Sequence, residues 1–392
     1  TRIAQTAYGN PSSRHSLGYA ARAALEEARE RFSAALAPPD AGIRNRGRIV
    51  FTGGGSEADS IPILALVRSA LASKKDGTIK PLHIVTSSIE HSAVFEQVRL
   101  LESLGLSASY VDPEADGRLD PRRVGTAVRS ETALVAVMAV NNETGAIQPL
   151  AEIAASIAEA AAVFHKPRPR FHADAVQALG KVPFHPAAMG IDTAAFSAHK
   201  IRGPRGVGAL WTSDPIDTLV LGGGQEGGMR AGTENLQGAW AFALATERAL
   251  ATERALAADS AIADGQARER SISVLETRLF DGLAAIEGAL PLPAGRRAGD
   301  RSYSPYILSI AFPGLSGEVL VRALSDAGIA VSTGAACANN SKRKSRRVLE
   351  AMGVDARIAF SSIRVSLGET TTVADIDAFL ESASSLYRKL RT

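Results

Sequence analysis

The sequence predicts an α/β fold: a mostly parallel central sheet flanked by helices, followed by a smaller α/β domain. Three observations carry that expectation. Strand-like apolar runs alternate with helical patterns from Arg48 to Asp174, which is the βαβ rhythm of a parallel sheet. A glycine turn, Thr52-Gly53-Gly54-Gly55-Ser56-Glu57, leads out of the first such strand into a helix. After the Pro/Gly-rich stretch 291–299 a second, shorter alternation begins, as in a separate small domain.

The elements follow in order. Tyr8-Gly9-Asn10-Pro11-Ser12-Ser13 is a turn-forming cluster, and Leu17, Ala20, Ala21, Ala24, Leu25 and Ala28 recur at helical spacing from Ser16 to Ala37, where Pro38-Pro39 stops the helix. Arg48 to Phe51 reads as a buried strand and Ala58 to Ala72 as the helix after the glycine turn. Strands at 82–86, 108–111 and 133–140 alternate with helices at 92–103, 121–128 and 150–164. A basic loop, Lys166-Pro167-Arg168-Pro169-Arg170, precedes the strand that ends at His172-Ala173-Asp174. Gly206 to Trp211 is a strand, and Gly222 to Thr233 is a long glycine-rich loop. The tandem hexads Ala245–Leu250 and Ala251–Leu256 favour an exposed helix by propensity and are read as a spacer, with helical pattern continuing to Leu290. Tyr306 to Phe312 is a strand, Glu318 to Asp326 a helix and Ile329 to Ser332 a strand.

Composition narrows the function classes. A chain of 392 residues can bury an extensive core. With 44 Lys+Arg against 41 Asp+Glu the net charge is only +3, so bulk charge predicts no nucleic-acid role. No apolar run approaches the roughly 18 to 20 residues that span a bilayer, and Thr1-Arg2-Ile3-Ala4-Gln5 lacks a signal peptide's apolar core, so a soluble cytoplasmic protein without a membrane role is expected. One cysteine, Cys337, leaves no internal disulfide and no multi-cysteine metal site. It is either an inert small apolar residue or a reactive thiol, and the basic run behind it, up to Arg347, favours the thiolate. That run itself reads as a mostly solvated loop, or as an attraction for an acidic partner.

Other residues are chemically suggestive on their own. Lys200, after an apolar run and among Ser197, His199 and glycines, is placed to form a Schiff base with a carbonyl, unless it is an ordinary solvated charge. Gly53-Gly54-Gly55-Ser56 offers backbone N–H groups and a hydroxyl to an anion at a helix start. Asp174 and the turn Asn141-Asn142-Glu143 stand at strand ends, where open α/β sheets bind ligands; a helix cap is the plainer reading of Asp174 and of His91. Arg364 lies in a short apolar strand, where a guanidinium needs an anionic partner, either a ligand or a structural ion pair.

Seven stretches agree on one family: Glu90-His91, Val140-Asn141-Asn142-Glu143, His172-Ala173-Asp174-Ala175-Val176-Gln177, Ser197-Ala198-His199-Lys200, the loop ending Arg230-Ala231-Gly232-Thr233, Gly334-Ala335-Ala336-Cys337 and Ser361 to Gly368. In this order they resemble the cysteine desulfurases of the NifS/IscS type, pyridoxal-phosphate (PLP) enzymes of the class V aminotransferase family, over nearly the whole chain. The resemblance implies the type I PLP-dependent transferase fold, with a large PLP-binding domain at 8–245 and a small domain at 246–392 to which residues 1–7 are joined. It also implies the activity: removal of sulfur from L-cysteine, giving L-alanine and a persulfide on Cys337 for iron–sulfur cluster assembly or other sulfur acceptors. A selenocysteine lyase or another class V lyase or aminotransferase is the neighbouring alternative, and a non-catalytic PLP-binding scaffold the more distant one.

The roles implied are specific. Lys200 carries the cofactor and moves protons, His91 stacks on its ring, Asp174 faces the ring nitrogen and Gln177 the phenolic oxygen. Gly55, Ser56, Ser197 and His199 hold the phosphate, joined by Thr233 of a neighbouring subunit in a homodimer. Arg364 and Asn142 bind the substrate carboxylate, Cys337 is the nucleophile, and no metal is expected. Three departures accompany the match. The family's Asp-Asn-Ala-Ala-Thr-like strand ahead of Gly9-Asn10-Pro11-Ser12 is not found, so a truncated or disordered start is expected; Ser56 stands where threonine is common; Ala198 and Ala335-Ala336 stand where glycine or serine are common.

Overall fold

A computed structural model describes residues 2–37, 47–72, 81–258, 271–334 and 346–391. Cys337 and residues 338–345 of the basic run lie outside the described residues. The chain divides into two compact units, Thr1–Val111 with Asp120–Ala139 and Pro149–Arg254, and Asp112–Leu119 with Val140–Gln148 and Ala255–Thr392. The sequence places a single boundary after residue 245 and groups 1–7 with the small domain; by contacts, 1–7 fall in the first unit and two short excursions of the chain fall in the second. Both excursions are polar turn segments, Asp112-Pro113-Glu114-Ala115-Asp116-Gly117 and Asn141-Asn142-Glu143-Thr144-Gly145, which the sequence marks as turns without assigning them to a unit.

In the first unit a seven-stranded sheet runs in the order β1-β7-β6-β5-β4-β2-β3. Its strands are β1 (Arg48–Thr52), β2 (His83–Ser87), β3 (Ser107–Val111), β4 (Thr132–Ala136), β5 (Arg170–Asp174), β6 (Thr193–Ser197) and β7 (Gly208–Thr212). The pairs β2·β3, β2·β4, β4·β5 and β5·β6 are parallel, whereas β7 is antiparallel to both β1 and β6. Six strands therefore share one direction, and the turns after β1, β2, β5 and β6 all leave at the same edge. Strands β2, β6 and β7 are buried along their whole length, as expected where helices cover a parallel sheet.

Helices α1 (Arg2–Thr6), α2 (Ser16–Leu36), α3 (Gly55–Ala72), α4 (Ser92–Ser103), α5 (Pro121–Ala127), α6 (Leu150–Val163) and α7 (Leu236–Ala258) complete this unit's elements. Several begin on side-chain caps. His15 and His91 each accept a backbone N–H at the start of α2 and α4, and Asp120 does so before Pro121 on α5. The fully buried Phe32, Phe196 and Phe242 meet edge to face, with centroids 4.8 and 5.7 Å from Phe32. The hexad repeat within α7 is more than a spacer, since its Glu247 pairs with Arg31 at 2.8 Å.

The second unit has a three-stranded antiparallel sheet in the order β10-β9-β8, from β8 (Leu290–Leu292), β9 (Ile307–Ala311) and β10 (Ser362–Ser366). Helices α8 (Ile272–Ala284), α9 (Gly317–Asp326), α10 (Arg347–Ala351), α11 (Ala356–Phe360) and α12 (Val373–Leu390) accompany it. Leu279, Ile310, Phe312, Leu320, Ile363 and Phe379 form its core, each contributing roughly 1.5–3 kcal/mol by burial. Two expectations change here. The linker read from Pro291 begins within β8, where Pro291 pairs with Ile310; an edge strand tolerates proline because one side of its ladder needs no donor. The strand expected at Ile329–Ser332 reduces to one bridge, Ser332 to Arg364.

Candidate active site

The first unit gathers one group of candidate residues at the carboxyl edge of its sheet. Strand β6 ends at Ser197, and the chain closes into a 3₁₀ turn, Ala198–Ile201, that carries Lys200. Arg202 leaves the turn in the left-handed region at φ 60°. Ser197 Oγ lies 2.9 Å from His199 Nδ1. Burial lowers the pKa of His199, and Lys200, Arg205 and Lys181 lower it further, which disfavours the charged imidazolium.

On the neighbouring β5, Asp174 is buried and accepts the N–H of Val176 at 3.0 Å. Burial raises its carboxyl pKa, opposed by His91, the Val176 N–H and Lys200. Asp174, His91 and Lys200 thus share one electrostatic neighbourhood. His91 heads α4, its Nδ1 accepting from the Ala93 N–H at 3.1 Å; that leaves the cap reading true as well and puts any proton of the neutral ring on Nε2. Gln177 Oε1 takes Lys181 Nζ at 2.6 Å.

The glycine turn after β1 runs into α3 at Gly55. A Cβ on Gly55 would lie 2.7 Å from Val176 Cγ2 and 3.2 Å from Ser197 Cβ, so the turn approaches both the Asp174 and the Lys200 segments as only glycine allows. By contrast, Gly54 faces open space. Arg230 Nε pairs with Glu57 Oε1 at 2.9 Å, tying the long glycine loop to this helix start. Thr233 is exposed on that loop. The open approach at Gly54, the first N–H groups of an 18-residue helix and a buried carboxylate with no salt bridge among the described residues suit a phosphate with an attached cationic ring. The residues present therefore fit PLP.

The second unit carries Arg364 and Asn142. Asn141 is fully buried, and its Oδ1 accepts from the N–H groups of Glu143 and Thr144, both at 2.9 Å, which sets the turn. Arg364 Nη1 donates to the Asn142 carbonyl at 2.8 Å. Glu143 is an acid among arginines: burial raises its pKa, and Arg347, Arg346 and Arg364 oppose that rise. Arg346 is buried and donates to the Thr333 carbonyl, so the end of the basic run is structural, although the sequence reads the run as mostly solvated. Gly334, just before the cysteine segment, would bring a Cβ to 3.2 Å from Glu143.

Sequence reasoning misses several supports. Beneath Asp174, His172 is fully buried, with Nε2 3.1 Å from Asp59 Oδ1 and Nδ1 2.9 Å from Thr193 Oγ1. Arg296, read as linker, is buried against Glu276 at 3.2 Å and donates to the carbonyls of Thr144, Ile307 and Ser304. Glu226, in the left-handed region at φ 50°, is held by Arg29 at 2.7 Å and by the Phe51 N–H. Among the described residues no group of His, Cys, Asp or Glu could hold a metal ion, and no helix is long and apolar enough to cross a membrane.

Comparison with known proteins follows the same lines. The profile of the family described as aminotransferase class-V matches residues 3–379. A protein of Anaeromyxobacter dehalogenans (strain 2CP-C) named cysteine desulfurase IscS is 37% identical over 391 residues, covering 98% of this chain and 87% of its own. The protein of that name from Dictyoglomus turgidum is 35% identical over 387 residues, covering 98% and 89%. Among solved structures, a NifS-like protein superposes with a TM-score of 0.81 at 32% identity, covering 99% of this chain and 94% of that one. A NifS-like protein from Rickettsia africae gives 0.75 at 26% identity, covering 97% and 92%.

Proposed function

The chain belongs to the class-V aminotransferase family, and on that premise we propose that it is a PLP-dependent cysteine desulfurase, taking sulfur from L-cysteine and releasing L-alanine. The observation that carries this reading is the grouping of Asp174, His91 and Lys200 beside a glycine turn at one sheet edge, in a chain whose near full-length relatives are named cysteine desulfurases. PLP, when bound, supplies the electron sink that acidifies the substrate's α-proton.

The chain's own residues supply the rest. The backbone N–H groups at Gly55 and Ser56, with the side chains of Ser56, Ser197 and His199, hold the phosphate. Asp174, raised in pKa because it is buried, gains most from a protonated ring nitrogen and so keeps that nitrogen charged. His91 would cover the ring face, and Gln177, whose Oε1 accepts from Lys181 Nζ, would offer its amide N–H to the phenolic oxygen. Lys200 Nζ would anchor the cofactor, take the α-proton of the bound amino acid and later return one. Arg364 offers its fork to the substrate carboxylate beside Asn142. The Cys337 thiolate would attack the substrate sulfur: an S–S bond forms, the carbon–sulfur bond breaks with its electron pair going to the carbon fragment, which takes up a proton and leaves as alanine, and the persulfide is left on Cys337.

The exposed Thr233 is assigned to a neighbouring subunit's phosphate, which makes the working enzyme a homodimer. The persulfide passes to a sulfur-acceptor protein such as an iron–sulfur scaffold, and the protein acts in the cytoplasm. The test is direct. PLP-loaded protein given L-cysteine and a thiol reductant should release alanine and sulfide in equal amounts, and the absence of both would overturn the proposal.

A further inference from the structure

The opposite edge of the first unit's sheet carries a different kind of site. Strands β4 and β5 begin there at Thr132 and Arg170, and a cavity of about 290 Å³ opens beside them. Four cations line it: Arg129, Lys166, Arg168 and Arg170; no carboxylate is among its lining residues. Arg168 is already matched, since its two terminal nitrogens hold Asp192, each at 2.7 Å. The other three have no carboxylate in hydrogen-bond contact among the described residues. Lys166 Nζ donates to the Ser130 carbonyl at 2.7 Å and Arg129 Nη2 to Ser109 Oγ at 3.2 Å. Arg170 Nη1 is closed off from solvent and has no hydrogen-bond partner among the described residues. Glu131 feels the charge of Arg129 but does not line the cavity.

A sheltered guanidinium N–H without a hydrogen-bond partner among the described residues is an unfavourable arrangement for the protein alone, and the exposed Arg129 and Lys166 add positive charge around it. An anion with several acceptor oxygens corrects it. We propose that this cavity, framed by Arg129, Lys166 and Arg170, binds a small phosphate-bearing anion, with Arg170 as the anchoring donor. Arginine suits the task because its planar fork matches phosphate oxygens. Size points to a terminal phosphate or diphosphate group, as the cavity is at the lower end of the roughly 300–1,000 Å³ of ligand pockets. The local potential agrees: the charged forms of the buried His83 and His172 are disfavoured first by burial, and further by Arg129 and Arg170 respectively. Arg170 and Asp174 stand at the two ends of one five-residue strand, about 13 Å apart at the usual rise of a strand, so this cavity is distinct from the PLP cradle and does not rest on the desulfurase reading.

The test is calorimetric titration of the full, PLP-loaded chain with sodium pyrophosphate at constant ionic strength, the cofactor keeping the glycine turn filled. One saturable site per chain is expected. Arg170→Met and Lys166→Met should each weaken it at least tenfold, whereas Arg122→Met, exposed on α5, should leave it unchanged, and turnover of L-cysteine should be unaffected by all three. Should Arg170→Met fold poorly, the exposed Lys166 carries the comparison. Heat no different from a chloride titration, or equal binding by wild type and Lys166→Met, overturns the proposal. Tighter binding of single-stranded RNA than of pyrophosphate, lost with the same substitutions, overturns the small-anion assignment in favour of a nucleic-acid backbone.

Discussion

Arg364 Nη1 holds the main-chain oxygen of Asn142 at 2.8 Å, so the guanidinium is oriented by the same turn that Asn141 fixes. A preset fork of this kind distinguishes arginine from lysine, which presents a single rotating ammonium. Arg364→Lys should therefore raise KM for L-cysteine and lower kcat/KM about ten- to a hundredfold, the span of a lost charge-assisted bond. The visible spectrum of the PLP-loaded protein should not change. Steady-state kinetics with unaltered KM would remove Arg364 from the substrate site.

Lys200→Ala should abolish the visible absorption that depends on a lysine-bound cofactor while the phosphate cradle still retains PLP. A spectrum recorded after gel filtration reports both. Retained wild-type absorption would mean that another lysine carries the cofactor.

Cys337→Ser should leave spectral changes on adding L-cysteine intact and eliminate alanine and sulfide release. Mass spectrometry of the wild-type protein after L-cysteine should show one added sulfur on the peptide containing Cys337. Running the assay with selenocysteine in parallel separates the two lyase readings: a Cys337→Ser protein still active on selenocysteine would identify a selenocysteine lyase.

Much of this was open to inspection in the residues themselves, and the exceptions have physical causes. The sheet was legible because each parallel strand is an apolar run bounded by turn residues, and the candidate residues Gly55, Asp174 and Lys200 because all three sit where a strand ends. The clamp at Arg296 was not: three of its partners are main-chain carbonyls, which leave no mark in a sequence, and the adjacent Arg297 made the pair resemble a solvated linker. The pairing of Asp59 with His172, 113 residues apart, was equally silent, since both are brought together only by packing α3 onto the sheet.

Removing one partner of the buried Glu276–Arg296 pair should be expensive. Glu276→Gln leaves the guanidinium charge enclosed, and a loss of about 3 kcal/mol is expected, the lower end for a broken buried pair. Urea unfolding midpoints of wild type and variant measure it; a shift below about 1 kcal/mol would place the pair among weak surface interactions.

His83 should make the fold acid-sensitive. It is fully buried between Thr132 Oγ1 at 2.8 Å and Ser109 Oγ at 3.0 Å, and burial, aided by Arg129, pushes its pKa down to about 4. Below the ordinary value of about 6.5 the unfolded chain binds a proton that the folded chain refuses, so stability is full above about pH 7 and declines from there toward pH 4. At pH 5 the share of His83 is roughly 2 kcal/mol. His83→Gln keeps the hydrogen bonds and cannot titrate, so the drop in urea midpoint between pH 7.5 and pH 5 should shrink by about that amount. His172, depressed in the same sense, and Asp59, raised in the opposite sense, are common to both proteins and cancel in the comparison. An equal drop in both would contradict the assignment.

Strand β7 runs against its neighbours, and at its first residue, Gly208, a Cβ would fall 2.4 Å from the carbonyl carbon of Gly54. Gly208 belongs to neither the lysine turn nor the cradle, yet the spacing of the two depends on it. In a library of random variants sorted by retained yellow colour, this position should behave like an active-site residue, intolerant even of alanine, although no ligand touches it. Selection for cofactor retention would therefore read out the thickness of the backbone here, and a catalogue of essential residues built from such a screen would extend beyond the chemistry to the place where two chains of main-chain atoms pass too close for a methyl group.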